Sequence, residues 1–177
     1  PVTDVPPGDG SGGDRASLAS PGQRLGGALV DGALLQVAAL GLAGLDRPVA
    51  AVVSTTVYLA YVVALVAVRG QTLGKVALGT RVVDTATVGL PTLWQAATRA
   101  VVPLAGVVVD VALGITAVGA FWVLTVYGWL LVDEHRRGLH DKAAGTVVVD
   151  VERSEAHRRA GVVAVVAALG ITAVLVA

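Results

Sequence analysis

Long runs of Val, Ala, Leu and Gly, broken by only a few charges, constrain this chain more than anything else in it. Several runs approach the ~20 residues that an α-helix needs to cross a hydrocarbon core of about 30 Å. Backbone in lipid must satisfy its own N–H and C=O groups, so such runs fold as helices. With 55 % hydrophobic and 15 % charged residues, the composition lies far from that of soluble domains. The sequence therefore predicts an all-α transmembrane helical bundle whose first partner is the lipid bilayer. A formal net charge of zero argues against a nucleic-acid partner. The absence of cysteine excludes disulfides, thiolate metal sites and thiol nucleophiles.

Residues 1–23 are rich in Pro, Gly, Ser and Asp and offer little apolar surface to offset the entropy of ordering, so a disordered tail is expected there. A first span is expected over 25–45, apolar except for Asp31 and Gln36, with Arg24 at its entrance. Arg24 and Asp31 fall about two helical turns apart, on one face and roughly 10 Å from each other. A carboxylate near the centre of a span costs ~2.5–3.5 kcal/mol, so Asp31 should face the bundle interior and meet Arg24 or another cation. Its role is then either structural or one in handling ions or protons. The short turn Asp46-Arg47-Pro48 predicts an antiparallel neighbour over 49–68. The hydroxyls of Ser54, Thr55, Thr56, Tyr58 and Tyr61 are expected to bond backbone carbonyls or an adjacent helix.

Two polar stretches punctuate the apolar blocks: RGQTLGKVALGTRVVD over 69–84 and GLHDKAAGTVVVD over 138–150, both ending in Gly-Thr-x-Val-Val-Asp. In the first, Gly70, Gly74 and Gly79 are expected to break helix and allow close backbone approach, beside the fixed charge of Lys75. A phosphate-binding loop is rejected, because the glycine spacing is one residue short and Val76 stands where Ser or Thr would bind magnesium. The β-branched ends read as strands. Each is too short to stand alone, which predicts a cytoplasmic two-stranded ladder between 79–84 and 145–150. Pairing would draw Lys75 and Arg81 toward His140 and Asp141.

Between these stretches, Leu90, Leu93, Trp94 and Ala97 recur at helical spacing and suggest an interfacial helix reaching Arg99. The block 100–132 would measure ~50 Å as one straight helix, more than a crossing requires. Positive residues follow both the second span and this block, and both clusters prefer the cytoplasm. A broken helical hairpin turning near 113–116, with Asp110 beside the break, satisfies that preference; a surface helix followed by a third span is the alternative. A charged linker over 151–159 then leads to an apolar segment, 161–177, at the lower length limit for a C-terminal span. The domain organisation read from sequence is thus a tail over 1–23, a transmembrane domain over 24–150, and a linker with a hydrophobic segment over 151–177.

Taken in order, Arg24-Leu-Gly-Gly-Ala-Leu-Val-Asp31, Gly70-Gln-Thr-Leu-Gly-Lys75, Arg99 and Leu139-His140-Asp141-Lys-Ala-Ala-Gly145-Thr146 followed by valines resemble the RDD family of bacterial integral membrane proteins. The Arg and two Asp residues that name the family fall on Arg24, Asp31 and Asp141. The resemblance covers about 24–150. It implies a small multi-pass protein of the bacterial inner membrane, with ion/proton antiport proposed for some members.

No catalytic constellation emerges from the residues: His135, His140 and His157 lie in charged, wet sequence, with no HExxH and no serine in a nucleophile turn. The chain is read as no enzyme, without cofactor. Glu134, His135, His140 and Asp141 would form a metal site only if they converged, and no metal is assigned. The candidate site is instead a charge cluster of Arg24, Asp31, Lys75, Arg99, Asp110, His140 and Asp141, supported by the motif glycines Gly70, Gly74 and Gly145. Such a cluster suits an ion or proton-coupled transporter acting on small cations or protons. It equally suits a non-transporting scaffold or assembly factor in which the charges latch the helices. A homo-oligomer or a membrane-protein partner is expected in either case.

Overall fold

The computed structural model describes residues 17–113, 117–151 and 154–176. Among these residues, seven α-helices and two strands follow in the order α1 (Pro21–Leu40), α2 (Arg47–Arg69), α3 (Leu73–Leu78), β1 (Thr80–Asp84), α4 (Leu93–Leu113), α5 (Ala117–Gly128), α6 (Leu139–Ala144), β2 (Thr146–Asp150) and α7 (Glu155–Val176), with a 3-10 turn at Trp129–Leu131. Helix α2 and the Ala156–Val174 part of α7 are long and apolar enough to cross a bilayer, with mean hydropathies of 2.2 and 1.4. Only Val66 of α2 is buried within the chain, as expected of a helix whose apolar surface faces lipid.

Helix α1 starts earlier than the apolar run suggests. Ser20 and Gln23 form a capping box, with Gln23 N–H donating to Ser20 Oγ at 3.2 Å and Ser20 N–H to Gln23 Oε1 at 2.7 Å. Leu18 bridges Val149, and Ala19 N–H donates to the Val148 carbonyl at 3.0 Å. The last residues of the expected tail are therefore built into the sheet edge, because a strand edge offers their backbone the partners that apolar content cannot. Residues 1–16 lie outside the described residues.

Despite the short turn between them, α1 and α2 touch sparingly; α1 lies on α3 and α7, and α2 on α4. Small residues decide this. A Cβ at Gly26 would come 3.0 Å from Val165 of α7, and one at Gly27 would come 3.3 Å from the Gly74 carbonyl of α3. Val30 and Ala33 of α1, Leu78 of α3 and Ala168 of α7 make the resulting core.

The long block is a hairpin. Trp122 of α5 donates its indole N–H to the Val102 carbonyl of α4 at 2.8 Å, and a Cβ on Gly106 would collide with the Trp122 side chain at 2.6 Å. This overturns the single-crossing alternative; the break itself, 114–116, lies outside the described residues. No separate interfacial helix precedes the hairpin. Thr92 and Gln95 form a second capping box, so the expected surface helix is the first two turns of a continuous α4 that runs through Pro103.

The two strands form the ladder that the sequence predicts, pairing antiparallel with Val82 opposite Val148. Beyond the ends, Val151 N–H donates to Gly79 C=O at 2.8 Å and Thr85 N–H to Gly145 C=O at 3.0 Å. Antiparallel alternation then makes Val82 and Val148 a non-hydrogen-bonded pair. Their outward groups bond elsewhere: Val82 N–H donates to Gly70 C=O at 2.7 Å, and the Val148 carbonyl takes Ala19 N–H. The period of two puts Thr80, Val82, Thr146 and Val148 on the buried face and leaves Arg81 exposed on the other. Arg81 is thus not drawn to the site.

The register exposes an internal two-fold relation. Each half of the chain runs capping-box helix, return helix, short helix, left-handed glycine, strand: α1, α2, α3, Gly79, β1 and α4, α5, α6, Gly145, β2. Gly79 and Gly145 have φ of 58° and 65°, a conformation that costs other residues about 1–2 kcal/mol. Each strand ends in an Asp that grips the capping-box Gln of the other half: Gln95 Nε2 donates to Asp84 at 2.9 Å and Gln23 Nε2 to Asp150 at 2.8 Å. The halves are buckled together at both ends of one small sheet.

A buried charge cluster at the sheet end

Helix α1 begins at the sheet, α2 and α5 return to it, and α4 departs from it, so Arg24, Asp31, Lys75, Arg99, His140 and Asp141 gather at one end of the bundle. Asp141, wholly buried in the first turn of α6, is the hub. Its carboxylate accepts from Arg24 of α1, from Arg99 of α4, and from Gly138 N–H at 2.9 Å. Arg99 donates further to Thr146 Oγ1 at 2.7 Å, and Arg24 to the Arg136 carbonyl. Two guanidiniums share one buried carboxylate, each arriving from a different element, and the trio keeps one positive charge.

Asp31 is also buried, as expected, but its partner is not Arg24. Its carboxylate accepts from Tyr61 Oη at 2.7 Å, Thr72 Oγ1 at 2.5 Å and Gly74 N–H at 2.8 Å. Arg24, though on the same helix, is drawn to Asp141 instead. The contact between Gly27 and Gly74 explains the difference: a Cβ on Gly74 would overlap the Gly27 carbonyl, so α3 seats its first turn directly over Asp31. Gly74 therefore lies inside α3 and permits close approach, while Gly70 and Gly79 end helices.

A cavity of about 70 Å³ joins the two carboxylate neighbourhoods, lined by Arg24, Asp31, Lys75, Arg99 and His140 with Tyr58, Thr72, Thr80 and Tyr127, and by apolar side chains of α2 and α4. Lys75 is partly buried and its ammonium lies 3.5 Å from Thr72 Oγ1. Desolvation lowers its pKa to about 8, outweighing the favourable field of Asp31. His140 packs against Tyr127 with ring centroids 4.8 Å apart and the rings tilted by 46°. Burial, and then the charges of Arg99, Arg24 and Lys75, push its pKa well below the usual histidine range, so it is neutral. Below the cluster, Lys142 at 2.5 Å, aided by Arg137, holds the Asp133 carboxyl well below the usual carboxylate range.

Asp110 does not join this group. It lies roughly 16 Å further along α4 than Arg99 at 1.5 Å per residue, and its side chain is outside the described residues. Tyr61, Thr72, Thr80, Tyr127 and Thr146 were not singled out as site residues by sequence, since isolated hydroxyls in apolar runs carry no periodic signal. Gln23 and Gln95 did carry one, as the last residues of S-x-x-Q and T-x-x-Q capping boxes. No cluster of potential metal ligands occurs among the described residues.

Comparison with curated proteins and with solved structures returns no match. A family model does match, over residues 18–145, from the residue that bridges the sheet edge to the glycine that opens β2. That span contains both carboxylates and both arginines of the cluster, and by it the chain belongs to the RDD family, as a multi-pass membrane protein with a buried Arg/Asp/His core.

Proposed function

We propose that the protein is an ion or proton-coupled transporter working through this cluster, with the sheet end in the cytoplasm. The orientation is supported by charge: among the described residues, Arg47 is the one Lys or Arg at the opposite end of the helices. The transport reading is carried by the cavity, since a latch of satisfied ion pairs would close up rather than keep open space beside three cations. Lys75, with a pKa of about 8, changes charge close to physiological pH and is suited to exchange a proton there.

The test is flux in proteoliposomes with imposed ion and pH gradients. Wild type dissipates a gradient, and Asp31→Asn and Lys75→Met, checked for folding by size exclusion, do so at least tenfold more slowly. Wild-type vesicles as tight as empty ones would sink the reading. The scaffold reading is favoured by a different observation: Asp31 is already saturated by three donors from α2, from Thr72 and from α3. In that case Asp31→Asn lowers stability and leaves vesicle permeability unchanged.

A further inference from the structure

We propose that the cavity between Lys75 and Thr80 is a binding site for a small monovalent inorganic anion of the halide class. The assignment deepens the ion-handling reading above and is tested by binding, apart from flux.

Charge balance is the first ground. Arg24, Arg99 and Lys75 face two carboxylates, Asp31 and Asp141, and His140 is neutral, which leaves one positive charge in excess in a buried site. Both carboxylates are already committed: Asp141 to the arginines and Gly138, Asp31 to Tyr61, Thr72 and Gly74. The next carboxylate, Asp133, is paired with Lys142 and Arg137, two further cations. Lys75 forms no ion pair among the described residues. An uncompensated buried charge is expensive, and one bound anion removes the expense.

An orphaned donor is the second ground. Thr80 is fully buried, lines the cavity, and its Oγ1 has no hydrogen-bond partner among the described residues. Its two-fold mate, Thr146, shows what the position does when filled, since its hydroxyl is engaged by Arg99 at 2.7 Å. At the matched positions, Asp141 faces both arginines, while Lys75 has no carboxylate in contact and only the field of Asp31. The cavity is also lined by Tyr58 and Tyr127, and its volume of about 70 Å³ is large enough for one unsolvated halide.

Thermal unfolding of the purified full chain in a neutral detergent tests this. Sodium chloride replaced by sodium gluconate at constant ionic strength provides the titration, and choline chloride separates anion from cation. Chloride should raise Tm by roughly 5 °C at saturation, whichever cation accompanies it. Gluconate should not. Lys75→Met should abolish the chloride response and raise Tm in gluconate. Thr80→Val should weaken the response at least threefold while leaving Tm in gluconate unchanged. Should Lys75→Met fail to fold, Thr80→Val and the line width of the chloride nuclear resonance carry the test. No chloride response, a response that follows sodium, or one retained in both variants overturns the site. Stabilisation by phosphatidylglycerol in mixed micelles without one by chloride also overturns it, in favour of a lipid phosphate. Binding without flux would remove transport and keep the anion site; flux without binding would do the reverse.

Discussion

The unit from Thr72 to Asp84 and the unit from Gly138 to Asp150 share a backbone and differ in charge at three matched positions, Lys75/Asp141, Val76/Lys142 and Arg81/Val147, with the charge reversed at one matched position, the first. Both open on an N-capping residue, make a six-residue helix, end it on a left-handed glycine and continue as a strand whose last Asp holds a Gln of the opposite half. In the second unit the matched position is Asp141, which collects two arginines; in the first it is Lys75, which has no carboxylate in contact. The first unit instead presents Thr72 and a backbone N–H to a carboxylate from α1. Glycine placement and β-branched strands fix the repeated backbone, so side-chain chemistry is free to diverge on it, and the divergence gives one unit the carboxylate that collects the ion pairs and the other a lysine at the cavity.

The largest effect should come from neutralising the matched positions separately. Asp141→Asn strands two buried guanidiniums and should cost about 3–5 kcal/mol, enough to lose most folded protein from a membrane extract. Lys75→Met should be neutral or stabilising in the absence of halide, and equal losses from the two would break the comparison. Val82→Pro comes next. It removes the N–H that ties β1 to Gly70 at the end of α2 while sparing the ladder bonds, so a loss of about 1–3 kcal/mol is expected by denaturant titration. A smaller contrast is expected between the threonines: Thr146→Val deprives Arg99 of an acceptor and should cost about 1–3 kcal/mol, while Thr80→Val without halide should cost nothing measurable.

The shallowest effect concerns pH. Since the folded pKa of His140 lies well below 6.5, the unfolded chain binds more protons than the folded one as pH falls below that value. Stability should be intact above pH 6.5 and decline from there toward pH 5. Asp133 and Asp84 are also held low, and their contributions persist until pH nears 3.8, while Lys75 contributes a slope only between about 8 and 10.5. Tm measured from pH 8 to 5 should therefore fall in wild type and stay level in His140→Gln, a residue in the second unit whose matched position in the first is Gly74.

Much of this was legible beforehand. Apolar runs located α2 and α7; the paired Gly-Thr-x-Val-Val-Asp strings gave the ladder, though not its register; and the motif residues Arg24, Asp31, Lys75, Arg99, His140 and Asp141 gather at one end of the bundle. The misses share a cause. Arg24 and Asp31 lie on one helix face, which suggests a pair, but a third element with a small residue at Gly74 intrudes and each charge takes a partner distant in sequence. Leu18 and Ala19 look like tail because their backbone bonds to β2 carry no side-chain signature.

By itself the sequence determined the elements that depend on local chemistry and on the solvent: helices where apolar runs meet lipid, left-handed turns at Gly79 and Gly145, and caps at Ser20 and Thr92. Which carboxylate faces which cation, and the cavity left between Lys75 and Thr80, were decided only by the tertiary structure. Charge pairing in a buried site depends on distances between elements that approach from different parts of the chain, and no spacing within one element encodes those distances.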